Sequence, residues 1–154
     1  MSLPDIRTLV PHSGTMVLLD RVIAVGDEGL CAEVVIGLDT LFSDERGVAA
    51  WIGVEYMAQT VAAFAGYEAL SLGKSVKVGF LLGSRRYECS RPHFALGSTL
   101  YIHVQRDLQG ENGLSAFSCH IDDANDTSAA PLATATITVF QPDNVDEFLQ
   151  KVSE

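Results

Sequence analysis

A carboxylate and an amide lie inside the most apolar segment of this chain. The segment WIGVEYMAQTVAAFAGYEAL, residues 51–70, carries Glu55 and Gln59 near its start. Residues four positions apart on a helix share a face, so these two side chains can orient one another in a small polar pocket. An unpaired carboxylate is expensive to bury. We therefore expect Glu55 to be a site residue; the alternative is a structural carboxylate bonded to backbone or to a partner subunit.

The histidines are the other side chains able to exchange a proton near neutral pH. His12 is a candidate base that could reach Glu55, and the alternative is a loop histidine bonded to backbone. His93, His103 and His120 form no i, i+4 pair, and no neighbouring Asp or Cys completes a metal site. Strand alternation places His103 and His120 on a solvent-facing surface. No metal and no cofactor are expected.

The composition is that of a globular chain with one domain. Its 154 residues are 47% apolar and 19% charged. A chain of this length and composition can bury a hydrophobic core without disulfides or a structural metal. The net charge of −10 disfavours DNA or RNA as the partner. Three cysteines without a CxxC pair suggest neither disulfides nor zinc and fit a reducing cytoplasm. The N-terminus does not resemble a signal peptide, and the acidic residues of segment 51–70 argue against a membrane span.

Strands around one helix must position the candidate residues. Segment 15–37 contains two runs of branched residues around a GDEG break, which predicts a strand pair. The polar residues 44–47 and the later Gly73 predict the start and stop of a helix of about 25 residues at most. Its apolar residues cover every face, so other structure must enclose it. Further strands are predicted in segments 77–90, 97–108, 114–123 and 131–140.

The strand pattern predicts the fold class. Alternation is clearest in residues 99–105, TLYIHVQ, and the breaks at 109–113 and 122–131 predict a hairpin and a longer loop. Two strands, one helix and about four strands indicate an α+β domain over residues 1–154. In this domain a curved antiparallel sheet wraps one long central helix, which is the hot-dog arrangement. Free sheet edges favour a dimer.

Three segments resemble the FabA/FabZ-type 3-hydroxyacyl-carrier-protein dehydratases. They are LVPHSGTMVLLDRV (9–22), GVEYMAQTVAAFAG (53–66) and GFLLGSRRYECSRPHFALGSTLYIHV (79–104). The resemblance spans most of the chain from Leu9 to Phe140. It implies the hot-dog fold, an acyl-carrier-protein or CoA thioester as the bound molecule, and a homodimer or a heteromer with another hot-dog dehydratase. The chain is similar to the small dehydratase-like subfamily associated with aryl-polyene biosynthesis, in which such heteromeric pairing is plausible.

The resemblance implies roles for two halves of a catalytic site. In that family a base removes the α-proton and an acid assists departure of the β-hydroxyl, roles assigned to a histidine and a helix carboxylate. Glu55 matches the carboxylate, as acid or orienting group. The histidine position, 14 residues earlier, is occupied by Leu41, although Phe42 matches the family's phenylalanine and Ser43 replaces its proline. His12, the histidine of the opening motif, is then the candidate base.

The resemblance also implies a thioester pocket and a carrier-protein surface. Backbone amides at residues 79–83 and at a helix start near Gly47 are expected to polarise the thioester carbonyl. Half of the basic residues fall within 18 positions, a patch that would attract an acidic carrier protein, with solvated strand ends as the alternative. The expected residues are Gln59, Gly79, Phe80 and Gly83 for the substrate, and Lys74, Lys77, Arg85, Arg86 and Arg91 for the carrier.

Three functions follow from these residues. The first is a dehydratase of 3-hydroxyacyl thioesters in fatty acid or polyene biosynthesis. The second, motivated by the missing histidine, is a noncatalytic or weakly active partner of a complete hot-dog dehydratase. The third is a hot-dog thioesterase, whose helix carboxylate directs water to the thioester carbonyl. Release of free thiol separates a thioesterase from a dehydratase, whose product keeps the thioester.

Overall fold

The computed structural model describes residues 3–11, 14–74, 80–110, 112–126 and 130–140. Within these ranges the chain forms one α-helix and nine strands. In chain order they are β1 Arg21–Val25, β2 Gly29–Val35, β3 Ser43–Asp44, β4 Gly47–Ala49, α1 Gly53–Ser71, β5 Phe80–Cys89, β6 His93–Phe94, β7 Thr99–Gln109, β8 Leu114–Asp123 and β9 Ala133–Phe140.

The strands of the described ranges form two antiparallel sheets. The larger has the order β1-β2-β7-β8-β9-β5, and the smaller has the order β3-β4-β6. The predicted strand pair β1–β2 is confirmed, as are the hairpin β7–β8 and the strands at β5 and β9. Together with α1 they confirm the predicted α+β class and the hot-dog fold.

Alternation of side chains sets the two faces of the large sheet. In β7, the residues predicted for one face are fully buried, while their neighbours are partly or fully exposed. Because strand residues alternate between faces, the buried set faces α1 and the other set forms the outer face. The buried set is Leu100, Ile102 and Val104, and the outer set is Tyr101, His103 and Gln105.

α1 packs on the inner face of the large sheet, where it contacts β2, β5, β7, β8 and β9. Phe64 meets Phe117 edge-on with the ring centres 6.1 Å apart. The sequence predicted that other structure encloses every face of the helix, but the described part of the chain leaves one side partly exposed. Val54, Ala58 and Ala62, which follow one another along one side, are only half-buried. A six-stranded sheet in the described chain therefore leaves one side of the helix for other contacts.

The predicted helix start at residues 44–47 is wrong, whereas the predicted stop is confirmed. Residues Asp44 and Gly47 pair with one another in the β3–β4 hairpin, and α1 begins at Gly53 after a 3-10 turn. Gly47 therefore supplies no helix N-terminus. At the other end Gly73 has φ +73° and its N–H donates to Leu70 O at 3.0 Å. A left-handed glycine of this kind ends a helix without steric strain.

The second carboxylate of the apolar segment has a structural role. Both carboxylate oxygens of Glu68 accept from Arg106 in β7, at 2.8 and 2.9 Å. Arg106 also donates to Glu28 at 2.7 Å and lies 5.2 Å from the centre of the Phe64 ring. Hydrogen bonds to Glu68 and Glu28 raise the pKa of Arg106. This ion-pair network ties the C-terminal half of α1 to the sheet. No helix in the described ranges is long and apolar enough to cross a bilayer.

Substitution of Gly66 tests how closely α1 approaches the N-terminal segment. A Cβ at Gly66 would lie 1.9 Å from the carbonyl oxygen of Leu9. Gly66→Ala should therefore lower the free energy of unfolding by about 1–3 kcal/mol, although alanine has the higher helix propensity. Urea unfolding followed by circular dichroism measures the change. Gly26→Ala is the control, because its Cβ would meet only Gly29 O, at 3.9 Å. A stabilised Gly66→Ala variant would contradict this packing.

Candidate functional site

The amide of Gln59 holds the N-terminal segment against α1. Gln59 is 1% exposed. Its Nε2 donates to Met16 O at 2.8 Å and to Glu55 Oε1 at 3.1 Å, and its Oε1 accepts from the Leu18 N–H at 2.9 Å. These bonds fix the amide's orientation, because a flipped amide would place its oxygen against the Met16 carbonyl oxygen. The structure thus brings Gln59 and Glu55 together, as their spacing predicts.

Glu55 lies in the first turn of α1. The unpaired backbone N–H groups of a helix start favour a negative charge, which reduces the cost of placing a carboxylate in an apolar segment. Glu55 is half-buried and follows Val54 on the side of the helix that the sheet leaves partly open. A carboxylate oriented by a buried amide and only half-buried itself suits proton transfer. That role stays a prediction.

A cavity of about 490 Å³ lies beside the N-terminal half of α1, and Tyr56 and Leu41 line it. Tyr56 is 1% exposed, and its hydroxyl has no hydrogen-bond partner in the described part of the chain. Burial, and secondly the charge of Asp20, raises the pKa of Tyr56. The hydroxyl is therefore a protonated donor at neutral pH. Leu41, at the position where the dehydratase resemblance expects a histidine, presents an apolar side chain to this cavity.

The loop between β2 and β3 presents apolar side chains to solvent. Ser43 N–H donates to Thr40 O at 3.0 Å, and Ser43 Oγ donates to Leu38 O at 3.1 Å. Phe42 has φ 71°, a left-handed conformation that costs a non-glycine residue about 1–3 kcal/mol. Leu38, Leu41 and Phe42 are 75%, 39% and 55% exposed. A hydrogen-bonded turn that holds such side chains outward is typical of a contact surface.

Several predicted site residues lie in β5 or outside the described ranges. His12 and Gly79 are outside the described residues, as is the side chain of Phe80, whose backbone pairs with Phe140 at the start of β5. Gly83 lies in β5 opposite Thr138. The structure therefore leaves their roles in base catalysis and thioester binding as predictions.

The predicted carrier surface is likewise only partly described. Lys77 lies outside the described residues. Lys74 follows α1, Arg85 and Arg86 lie on the edge strand β5, and Arg91 lies in the turn after it. All four side chains are exposed. Exposure is compatible both with carrier docking and with solvated strand ends.

The sequence patterns missed two polar features. The first is the buried hydroxyl of Tyr56, which the sequence did not indicate because an aromatic residue in an apolar helix is usually a core residue. The second is an Asp beside His103 and His120, where the sequence analysis found no neighbouring Asp or Cys to complete a metal site. Asp122 Oδ2 lies 3.2 Å from His103 Nε2 and 3.5 Å from His120 Nε2. The i, i+2 spacing of His120 and Asp122 on one strand was the available signal. Burial, and then the neighbouring His120, lowers the pKa of His103.

The family model described as "ApeP-like: ApeP dehydratase" matches residues 4–150. This match confirms the resemblance to the dehydratase-like proteins associated with aryl polyenes. No curated protein sequence matches this chain.

Three solved structures show the same fold. The dehydratase heterocomplex ApeI:P from Xenorhabdus doucetiae contains a chain 27% identical to this one, with a TM-score of 0.86 over 99% of this chain and 100% of that chain. A hypothetical thioesterase protein with coenzyme A from Streptococcus pneumoniae TIGR4 is 16% identical, with a TM-score of 0.58 over 79% and 86% of the two chains. The PaaI protein of E. coli is 12% identical, with a TM-score of 0.58 over 78% and 77%. The last two share the fold alone.

Replacement of Gln59 by leucine should lower the free energy of unfolding by about 2 kcal/mol or more. The variant removes the partner of Met16 O and of the Leu18 N–H, both in partly buried hydrogen bonds, and a polar group left unpaired costs up to about 1–3 kcal/mol. Urea unfolding followed by circular dichroism measures the loss. Glu55→Gln is the control, because its side-chain oxygen can still accept from Gln59. Equal unfolding midpoints for Gln59→Leu and the parent chain would contradict the anchoring role.

Proposed function

The chain belongs to the ApeP-like dehydratase family, and we propose that it is one subunit of a heteromeric dehydratase acting on 3-hydroxyacyl thioesters. The incomplete site carries this proposal. Gln59 fixes Glu55, whereas Leu41 occupies the position of the expected histidine. Because leucine transfers no proton, the base is either His12 or a histidine of the second subunit. The thioester belongs to an acyl carrier protein or to CoA.

The proposed reaction uses two proton transfers. The base takes a proton from C2, the C2–C3 double bond forms, and the C3–O bond breaks as protonated Glu55 gives its proton to the departing hydroxyl. Water and the 2-enoyl thioester leave, and the proton on the base returns to Glu55. Gln59 acts as a positioning residue, because its Nε2–H holds Glu55 Oε1 at 3.1 Å.

The proposed acyl site is the cavity beside α1. Its wall combines apolar side chains such as Val17, Leu18 and Leu41 with polar residues such as Asp20 and Thr40. Small-molecule sites commonly have this composition, in which apolar walls hold a chain and a few polar groups orient it. Leu41 adds apolar surface to the cavity wall at the position where a proton-transferring histidine was expected.

The proposed partner is a second hot-dog subunit that contacts the exposed apolar turn. Leu38 and Phe42 are 75% and 55% exposed, and Trp51, just before α1, is 70% exposed. The similar ApeI:P structure is a dehydratase heterocomplex, and its identity of 27% over nearly the whole chain supports a partner of the same kind here. The hot-dog thioesterase structures share the fold alone and support no thioesterase reaction.

The proposed carrier surface is the exposed basic group formed by Lys74, Arg85, Arg86 and Arg91, with Lys77 added from the sequence. The chain has 20 acidic and 10 basic residues. Basic side chains on an acidic chain guide an acidic partner to one surface and away from the rest.

Glu55→Gln should lower the dehydration rate of the reconstituted heteromer by about 10²-fold or more, because general acid catalysis contributes about that factor. The assay follows the enoyl thioester formed from a 3-hydroxyacyl thioester, with the histidine-containing second subunit present. The exposed Glu45→Gln is the control. His12→Ala in the same assay shows which subunit supplies the base. Unchanged activity of the Glu55→Gln heteromer would exclude Glu55 from catalysis.

Phe42→Asp combined with Leu38→Asp should abolish heteromer formation, because each places a charge in a desolvated apolar contact. Size-exclusion chromatography with light scattering measures the mass of the mixture. Leu108→Asp is the control, since Leu108 is 62% exposed on β7, remote in sequence from this turn. A heteromer that forms normally with the double variant would refute the proposed contact surface.

A further inference from the structure

The outer face of the large sheet carries a compact group of nitrogen and oxygen ligands. The strand register places His103 of β7 directly opposite His120 of β8, and Cys31 of β2 opposite His103 on its other side. Asp122 lies two residues after His120 and therefore projects from the same face. The residues alternating with them, Ile102 and Ile121, are fully buried. The group thus faces away from α1 and from the site of Glu55.

The spacing of the three donor atoms suits a metal ion. Asp122 Oδ2 lies 3.2 Å from His103 Nε2 and 3.5 Å from His120 Nε2, and each residue offers one ligand atom within 4.8 Å of the other two. In a tetrahedral zinc site with bonds of about 2.0–2.1 Å, neighbouring ligand atoms are separated by about 3.4 Å. The distances from Asp122 to the two histidines are therefore already close to the separation of ligand atoms in a zinc site.

We propose that His103, His120 and Asp122 form a binding site for Zn²⁺ or a chemically similar divalent transition-metal ion. Imidazole nitrogen and carboxylate oxygen are ligands that such ions prefer. Three protein ligands leave one position for water or another small ligand.

The ring positions define the movement that binding requires. The two imidazole rings stack with centres 4.3 Å apart and planes 12° from parallel. Parallel rings direct their lone pairs the same way, so at least one ring must rotate about its Cβ–Cγ bond to share an ion. The side chains of His103 and His120 are 36% and 42% exposed, which leaves space for the rotation, whereas Asp122 is 13% exposed.

Cys31 lies next to the proposed metal site but is not one of its ligands. Its Sγ is 3.9 Å from His103 Nε2. Metal ions bind the thiolate, but burial raises the pKa of Cys31 to about 12. A shallow groove of about 490 Å³ runs past Cys31, His103 and His120. This groove opens the site to ions from solvent.

Cobalt binding tests the proposal directly. The untagged chain, stripped with EDTA, is titrated with Co²⁺, whose visible d–d bands report the coordination geometry. We expect one ion per chain and displacement by Zn²⁺. His103→Ala, His120→Ala and Asp122→Asn should each weaken binding by at least about tenfold, while His93→Ala, which changes a histidine of the small sheet, should bind as the parent does.

Thermal unfolding provides a second measurement that separates ligand loss from misfolding. Zn²⁺ that binds only the folded chain raises its unfolding temperature, and Asp122→Asn, which retains size and shape, should remove most of that rise while unfolding cooperatively. Binding of Co²⁺ with unchanged affinity by the three variants, or no saturable binding by the parent chain, would overturn the proposal. Neither result depends on dehydratase activity, so a failure here is distinct from a failure of the proposed function.

Discussion

The hydrogen bonds of one buried amide set the geometry of the candidate site. Gln59 joins three parts of the molecule: the Met16 carbonyl, the Leu18 amide and the Glu55 carboxylate. Leu18 lines the cavity, so the same amide that orients the carboxylate also fixes part of the cavity wall. A glutamate at position 59 could not do this, because it would place acceptor oxygens against a carbonyl and a second carboxylate. An amide is the side chain that satisfies all three neighbours at once.

The sequence predicted the parts of the fold that depend on local periodicity. Alternation in residues 99–105 predicts which side of β7 faces the helix, and Gly73 predicts where α1 ends. The helix start predicted at residues 44–47 is wrong, because polar residues before an apolar segment are compatible with both a helix start and a tight hairpin. There the cross-strand pairing of Val48 with Phe94, 46 residues later, is what favours the strand. Long-range pairing of that kind leaves no trace in local spacing.

The same distinction explains which site residues were found. Glu55 and Gln59 were found because one helical turn joins them, so their contact is already implied by spacing. The group formed by His103, His120 and Asp122 depends on the register of β7 against β8, which the hairpin turn sets. Tyr56 is a third case, because its hydroxyl is significant only through the absence of a partner among the described residues. Such an absence is a property of packing.

The two glutamates of α1 have the same side chain but different hydrogen-bond partners. Glu68 meets Arg106 through both oxygens, a bidentate pair that ties the C-terminal half of α1 to β7. Glu55 Oε1 accepts from the Gln59 amide at 3.1 Å, and this hydrogen bond orients the carboxylate. A group that must accept and return a proton in each reaction cycle needs both of its protonation states to be accessible. In the proposed reaction Glu55 exchanges a proton with a second group, and Leu41 cannot be that group because leucine has no ionisable side chain.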